Sequence, residues 1–475
     1  MSKISSMMNV AQRSMQNSQM GLQTVSHNIA NKSTKGYSRQ RVDFVNNAAQ
    51  GFGKTRVGMG ARPGKIERIN NPYLEKQLEK TQTDVGYSTS KAETLARVEQ
   101  IYNEQINKGL NHFMGEFFNS FRELSNNPES LATRTLVKES ADFLTKDFNR
   151  VDKQMKNIQR DVDFQIATHV EEINQITKEI ADLNEKVQRV TIEGGPANDE
   201  RDRRDELVKQ LSEKVNINYA EGDSGLLTIT AGNSAVLVSG YSHRDLFVSP
   251  TGEKGDKGEG NFDIFYKATE EGTPVNVTTQ LNGGKLGGLL EVRDKSINEI
   301  LHRVDNMAYT LAKEVNKAHV QGFDRYNKQG QGFFENVQEA KGAAGKIRLN
   351  MNLKTDVGLI ATAATQNAPG DNRIANIISN IQYKNSMENG ASTLDDYYNS
   401  TVGKLGIMAK RANNDLVSQE GIQKQLSNIR ESISGVNLDE ETSKMIEYQK
   451  SFDASARLIR TADEMLDTVL NLKRL

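Results

Sequence analysis

Two apolar stripes, one at each end of the 475-residue chain, constrain its architecture more than anything between them. Near the start, Ile4, Met8, Ala11, Met15, Leu22, Val25 and Ile29 fall at alternating steps of four and three, with Ser18 the polar member of the row. Near the end, Met445, Tyr448, Phe452, Ser455, Ile459, Ala462, Leu466 and Val469 repeat the pattern. This alternation keeps one side of an α-helix apolar and suits a coiled-coil seam. A chain that begins and ends in seam-forming helices is expected to pair those helices with each other or with further copies of itself.

Composition favours the same architecture. Only 36% of residues are hydrophobic and 6% aromatic, with no Trp. Such a chain fits long helices with narrow seams better than one large globule, although its length allows about two to four domains. The 61 basic and 62 acidic side chains are interleaved, so no concentrated basic face points to nucleic acid. No Cys is present, which excludes disulfides and thiolate metal sites. Met1–Val10 holds one basic residue and no apolar core of a secretory signal, and no window approaches a membrane span of roughly 18 apolar residues. Residues 1–42 contain no Asp or Glu. A helix that faces water normally carries charge, so this one is expected to be enclosed on several sides in its working state.

Along the chain, Ala30–Tyr37 reads as a turn, Arg41–Val45 as a short strand and Gly51–Pro63 as irregular. A helix is expected from Pro72 towards Ile106, then a second seam through Leu110, Phe113, Phe117, Phe121 and Leu124. The longest seam runs Phe148, Val151, Met155, Ile158, Val162, Ile166, His169, Ile173, Ile176, Ile180, Leu183, Val187 and Val190. Its two consecutive steps of four around Val162 mark a stutter that locally straightens a supercoil. From about Val215 the texture becomes β: Leu226–Thr230, Ala235–Ser239, Phe262–Lys267 and Val275–Thr278 are short and separated by turn residues, with Thr251–Gly260 a charged, solvated tip. Helical seams return from Leu290 to Ala318. A further helix starts at Thr393, capped with Asp396, and breaks at Ser434-Gly435.

Catalytic patterns are weak. Ala48–Thr55 (AAQGFGKT) satisfies a relaxed phosphate-loop pattern. A phosphate loop must open a helix whose N-terminal amides hold the phosphate, and the Gly- and Pro-containing run after Thr55 cannot do so. The six His are scattered and none forms an HExxH pair. His169 is expected to be a locally bonded core residue. Asp199–Glu206 (DERDRRDE) reads as a solvated face or interface laced by i,i+4 pairs, because its Arg residues would repel a cation. No catalytic, cofactor or metal residue is assigned, and the chain is not expected to be an enzyme.

The segments beside the stripes carry a resemblance. Ala30–Gln40 (ANKSTKGYSRQ) is similar to the signature AN-x-x-T-x-GYSR of flagellar rod, hook and hook-associated proteins. Ser434–Glu441 (SGVNLDEE), Tyr448-Gln449, Ser455–Arg457 and Thr461–Asp467 (TADEMLD) resemble the C-terminal motif of the hook-associated protein 1 (FlgK) family. Asn126–Ser130, Ala197–Asp205 and Leu286–Leu290 fall in that family's order. The β insertion shows little match, and the chain is short for the family, which implies an additional outer domain is missing.

The resemblance implies a mainly α fold with an inserted β domain: residues 1–35 with 436–475 as a paired terminal coiled coil, 36–214 with 285–435 as a helical bundle, and 215–284 as a projecting β domain. It implies a structural subunit that joins hook to filament by polymerising through its terminal helices. The expected partners are further copies of itself, the hook protein, the second hook–filament junction protein (FlgL) and an export chaperone (FlgN) on the C-terminal helix, with no nucleic acid and no membrane. The expected location is the extracellular flagellum, reached by flagellar type III export. The assembly residues are expected to be Ile4, Met8, Ala11, Met15, Leu22, Val25, Ile29, Asn31, Gly36, Tyr37, Met445, Phe452, Ile459, Ala462, Leu466 and Val469. Competing readings are another axial subunit, a flagellar surface adhesin built on the β insertion, and an NTPase dependent on Lys54.

Overall fold

The computed structural model describes residues 2–52, 55–102, 108–222, 224–250, 261–269 and 271–472. Helix α1 (Ser2–Ala30) is followed by four strands: β1 (Gln40–Asn46), β2 (Gln50–Phe52), β3 (Thr55–Val57) and β4 (Ala61–Arg68). β1 and β4 pair antiparallel with a bulge between Asp43 and Phe44, and β2 pairs with β3 at the tip. The Gly-rich stretch expected to be irregular is therefore a long β-ribbon. Its glycines and Pro63 obscure the strand signal, and the ribbon is held mainly by ladder bonds and by α1.

Helices α2 (Pro72–Ile101), α3 (Leu110–Asn126), α4 (Leu131–Ile192) and α5 (Asn198–Lys214) follow. Asn71 caps α2, accepting the amides of Tyr73 and Leu74, and Pro72 takes the first turn, where its missing N–H costs nothing. The expected extension towards Ile106 ends at Ile101; residues 103–107 lie outside the described residues. The 62 residues of α4 span about 93 Å at 1.5 Å per residue. Phe148 to Ile166 are buried as the seam predicts. Beyond the stutter Ile173, Ile176, Ile180 and Val187 stay buried as expected, Leu183 and Val190 are half-buried, and Val170, Thr177, Ala181 and Asn184 join the buried side. His169 falls to the half-buried edge, where Nδ1 lies 2.8 Å from Glu172 Oε2.

The β insertion comprises β5 (Ile217–Glu221), β6 (Leu227–Ala231), β7 (Ala235–Ser239) and β8 (Ser242–His243) in one sheet, with β9 (Leu246–Pro250), β10 (Phe262–Tyr266) and β11 (Val275–Asn276) in another. Two asparagines of α4 hold them. Asn174 exchanges both bonds with the Leu246 backbone, and Asn184 does the same with Leu227. Residues 251–260, expected to form the charged tip, lie outside the described residues.

Helix α6 (Gly284–Glu291) runs through a π-helical turn (Val292–Ile297) into α7 (Asn298–His319), so the seam expected as one helix is interrupted. Arg293, fully buried in that turn, donates to Asp163 Oδ1 at 2.6 Å and to the Phe262 carbonyl, tying α4 to β10. Short helices α8 (Ala343–Lys346), α9 (Met351–Thr355) and α10 (Arg373–Asn380) precede α11 (Leu394–Ser434) and α12 (Leu438–Leu472). Thr393 caps α11 on the Asp396 amide as expected. Part of the core is an aromatic cluster: Phe117, Phe121, Phe333 and Phe334 meet edge-on or tilted, with ring centroids 5.0–5.9 Å apart, beside His319. The chain is thus mainly α with a β insertion.

Candidate assembly site at the chain ends

Helices α1 and α12 lie side by side. Ser14 meets Ser455 at 2.7 Å, Ser18 meets Ser451 at 3.1 Å, and Asn28 Nδ2 donates to Glu441 Oε2 at 2.9 Å. Between them, a Cβ on Gly21 would stand 2.7 Å from the Tyr448 ring. Moving from 14 to 18, 21 and 28 along α1 moves from 455 to 451, 448 and 441 along α12, so the helices run antiparallel in a single register. Short side chains at the contact let the backbones approach closely.

The expected stripes divide into two rows. Ala11, Ser18 and Val25 are buried on α1, as are Ser455 and Ala462 on α12. Ile4, Met8, Met15, Leu22 and Ile29, and Met445, Phe452, Ile459 and Leu466, are half-buried, and Val469 is exposed. Met15, Leu22 and Ile29 each follow a contact residue (Ser14, Gly21, Asn28), and Phe452 follows Ser451 in the same way. An antiparallel pair has an approximate two-fold axis across it, so equivalent offsets turn to the same flank. The large apolar side chains therefore share one open flank, while small residues make the seam. The β1–β4 ribbon covers a different side of α1, through Arg13 on the Met59 carbonyl and Asn17 on the Ala61 carbonyl.

The signature turn clamps this pair to the body. Asn31 ends α1 by bonding back to the His27 carbonyl and accepting Thr34 Oγ1. Gly36 has φ +81°, which any L side chain would strain, and Glu206 fills the space beside it. Tyr37 is buried, and its hydroxyl donates to Asn28 Oδ1 at 2.7 Å. Burial, with nearby Asp199, Asp202 and Glu441, pushes the phenol well above its ordinary pKa, so it remains a donor. Asn28 also bonds both backbone groups of Gln40. Of the predicted Asn31, Gly36 and Tyr37, Tyr37 meets the end of the α1 row at Asn28, Asn31 bonds back to His27, and Gly36 lies against Glu206.

Four partners were not in the expected set. Glu441, 1% exposed, accepts from Arg39 Nε at 2.7 Å as well as from Asn28. Asp202 accepts the Ser38 amide and Arg68 Nη1, both at 2.8 Å. Arg430 donates to the carbonyls of Gly36 and Tyr37 and to Glu75. Glu75 is half-buried, which raises a carboxyl pKa, but Lys209 and Arg430 outweigh that and hold it below the usual range. Of the two expected readings, the DERDRRDE run is accordingly an interface, joined to other elements rather than laced by i,i+4 pairs. Asp202, Arg204 and Glu206 are buried, Asp205 joins Arg68, and Arg204 holds Asn184, the Gly225 carbonyl and Glu221. Composition alone hides this, because charge density on a helix is identical whether it meets water or another element.

Among the described residues no cluster of His, Asp and Glu could hold a metal ion, and no helix is long and apolar enough to cross a membrane. Residues 53 and 54 lie outside the described residues; their neighbours pair as the β2–β3 hairpin, without the strand-to-helix turn that holds phosphate.

Comparison with known proteins agrees with this framework. The sequence pattern of the flagellar hook-associated protein FlgK helical domain matches residues 95–334, and that of the flagellar basal body rod FlgEFG protein C-terminal region matches residues 431–472. Flagellar hook-associated protein 1 of Bacillus subtilis is 30% identical over 97% of both chains. The Escherichia coli protein of that name is 26% identical over 99% of this chain and 100% of its own. The solved flagellar hook junction protein FlgK from Burkholderia pseudomallei shares the fold, with a TM-score of 0.69 at 14% identity over 75% of this chain and all of that one. The chain belongs to the flagellar hook-associated protein 1 family, and is a structural protein of the flagellum.

Proposed function

We propose that the chain joins hook to filament by polymerising through its terminal helix pair, and that its role is mechanical rather than catalytic. The observation that carries this reading is the open apolar flank of α1 and α12. Fully burying one such side chain contributes roughly 1.5–3 kcal/mol. Half-buried residues retain about half of that, so the nine amount to roughly 7–13 kcal/mol for a neighbouring copy before the cost of ordering it. The clamp around Tyr37, Asp202, Glu441 and Arg430 would transmit load from this contact to the helical body. The hook protein and the second junction protein are the expected neighbours at the two ends of the assembly. Before export through the flagellar channel, the C-terminal row would be held by a cytoplasmic chaperone. In this reading residues 1–35 with 436–475 form the inner domain, 36–214 with 285–435 the bundle, and 215–284 the outer β domain.

The test is complementation of a deletion strain. Ile459→Asp, or removal of residues 440–475, should leave hooks without filaments and release flagellin to the medium. Lys54→Ala should restore normal filaments. Normal filament attachment with Ile459→Asp overturns the proposal.

A further inference from the structure

Midway along α4, three long helices of the body are locally weak at one level. On α4, Ile158, Val162, Ile166 and Val170 are buried at three successive steps of four. Three such steps turn the apolar face by roughly 120° at about 100° per residue, so the helix buries different sides above and below this level. Here the α6–α7 helix makes its π turn, Val292–Ile297. Asn298 gives its N–H to the Lys295 carbonyl and its side-chain amide to the Asp294 carbonyl, at 3.1 Å. Helix α11 carries Gly403 and Gly406. Neither has a positive φ, and neither is a close approach. A Cβ on Gly403 would meet nothing within 4 Å, and one on Gly406 would meet only Glu99 Oε1, at 3.8 Å. Such glycines loosen a helix interior without serving its packing.

Side-chain contacts bring these points to one level. Arg97 of α2 pairs with Asp161 of α4, two residues before Glu99 lies beside Gly406, and α2 itself ends at Ile101. Gln159 Nε2 of α4 donates to Asn298 Oδ1 at 2.7 Å, and Asp163 accepts Arg293 Nη1 at 2.6 Å. Gln159, Asp163 and Arg293 are all buried. Directional polar bonds therefore tie α4 to the α6–α7 helix at this level. Away from it, α4 is held by different partners. Asn149 bonds to the Ala344 and Ile347 carbonyls on one side, and Asn174 and Asn184 bond to the β insertion on the other.

We propose that this level is a built-in bend plane, at which the half of the body bearing α3 and α8 tilts against the half bearing α5 and the β insertion, with the Arg293–Asp163 contact as pivot. Apolar packing is non-directional and repacks on either side, while the charge-assisted bonds at the pivot keep the two helices from sliding. Stutters, π turns and interior glycines are each places where a helix yields. Their coincidence on three helices makes the yielding concerted. The use of the bend, to absorb changes of angle between hook and filament, rests on the joining role proposed above; the bend itself is a property of the single chain.

Hydrogen exchange on the full-length protein tests the plane. Residues 158–166, 292–298 and 403–409 should exchange at least about tenfold faster than the flanking α4 segments 144–155 and 173–184, which are helix of the same kind. Gly403→Ala combined with Gly406→Ala enters open space and restores helix preference by about fivefold per site. The double variant should slow exchange at least about tenfold in all three segments, including those of α4 and α7 that it does not alter. Equal protection of the level and its flanks refutes the plane. Slowing confined to α11 refutes concerted bending. In a deletion strain the double variant should attach filaments and lose them at half the wild-type shear or less, because load that the bend relaxes falls on the junction instead. Slowed exchange with wild-type shear resistance refutes the mechanical use of the bend. Failure to attach filaments refutes it too, since stiffening would then act on assembly. The exchange result is independent of the outcome with Ile459→Asp, so failure of the joining role and failure of the bend plane are distinguishable.

Discussion

Replacing Glu441 with Ala tests whether the clamp holds α12 to the rest of the chain. The carboxylate is 1% exposed and accepts from Arg39 Nε at 2.7 Å and from Asn28 Nδ2 at 2.9 Å, with Arg39 Nη2 in ion-pair contact at 2.7 Å. Breaking a buried pair by removing one partner costs about 3–5 kcal/mol, because the other charge is left without compensation. Arg39 retains Glu440 at 2.8 Å, and Asn28 retains the Gln40 carbonyl. Glu440 is 57% exposed and a weak substitute, so the lower end applies, about 3 kcal/mol. A chain with several structural regions is not expected to unfold in one step, so the suitable readout is local. Hydrogen exchange of the α12 amides should accelerate by roughly 150-fold, the equivalent of about 3 kcal/mol, while α4 changes little. The paired change Arg39→Met with Glu441→Leu should recover most of the protection, since an apolar replacement removes the stranded charge. Acceleration below about threefold for Glu441→Ala, or a double variant as labile as the single one, would refute the reasoning.

The remaining predictions follow from single contacts. Gly21→Ala would set a methyl 2.7 Å from the Tyr448 ring and should loosen the α1–α12 pair by about 1–3 kcal/mol, read as faster exchange in both helices and relieved by adding Tyr448→Ala. Acid response should be masked by two opposed groups. His319 is fully buried, which drives its pKa down to about 4, and its Nε2 accepts the Ala361 amide. A depressed His contributes stability above its unfolded value of 6.5 that is lost as pH falls, about 2 kcal/mol by pH 5. Glu79 is buried under Tyr219, and desolvation raises it to about 7, so it gains a similar amount, about 2 kcal/mol, over the descent from pH 7 to 5. The native protein should therefore melt at nearly constant temperature over that range, His319→Gln should become more stable on acidification, and Glu79→Gln less stable. Parallel melting curves for all three would contradict these assignments.

Much of the helical frame was legible because seams and caps are local. Four–three periodicity gave α3, α4 and the two terminal helices, and Thr393 gave the start of α11. Tertiary context overrode the local signal elsewhere. The first strand of the β ribbon was legible at Arg41–Val45, but Gly51–Pro63 was read as irregular because its strands carry glycines rather than an apolar alternation. The π turn escaped because one extra residue per turn leaves no trace in spacing when Arg293 is the residue it buries. The terminal stripes were read as one seam on each helix; Ser18, Tyr448 and Ser455 of those stripes do touch across the pair, together with Ser14, Gly21 and Ser451 beside them, while most of the larger stripe members are only half-buried.

The sequence by itself determined that both ends are amphipathic helices, that a rigid turn follows the first, and that the chain resembles flagellar axial subunits. Periodicity and turn chemistry are properties of neighbouring residues, so they can be read without knowing the fold. Only the tertiary structure decided that Ser14, Ser18 and Gly21 face Ser455, Ser451 and Tyr448, and that Asp202, Arg430 and Glu441 converge on the signature turn. Those partners lie up to 441 positions apart in the chain. Which charge meets which carbonyl across that separation is fixed by packing and desolvation, and neither is written in local spacing.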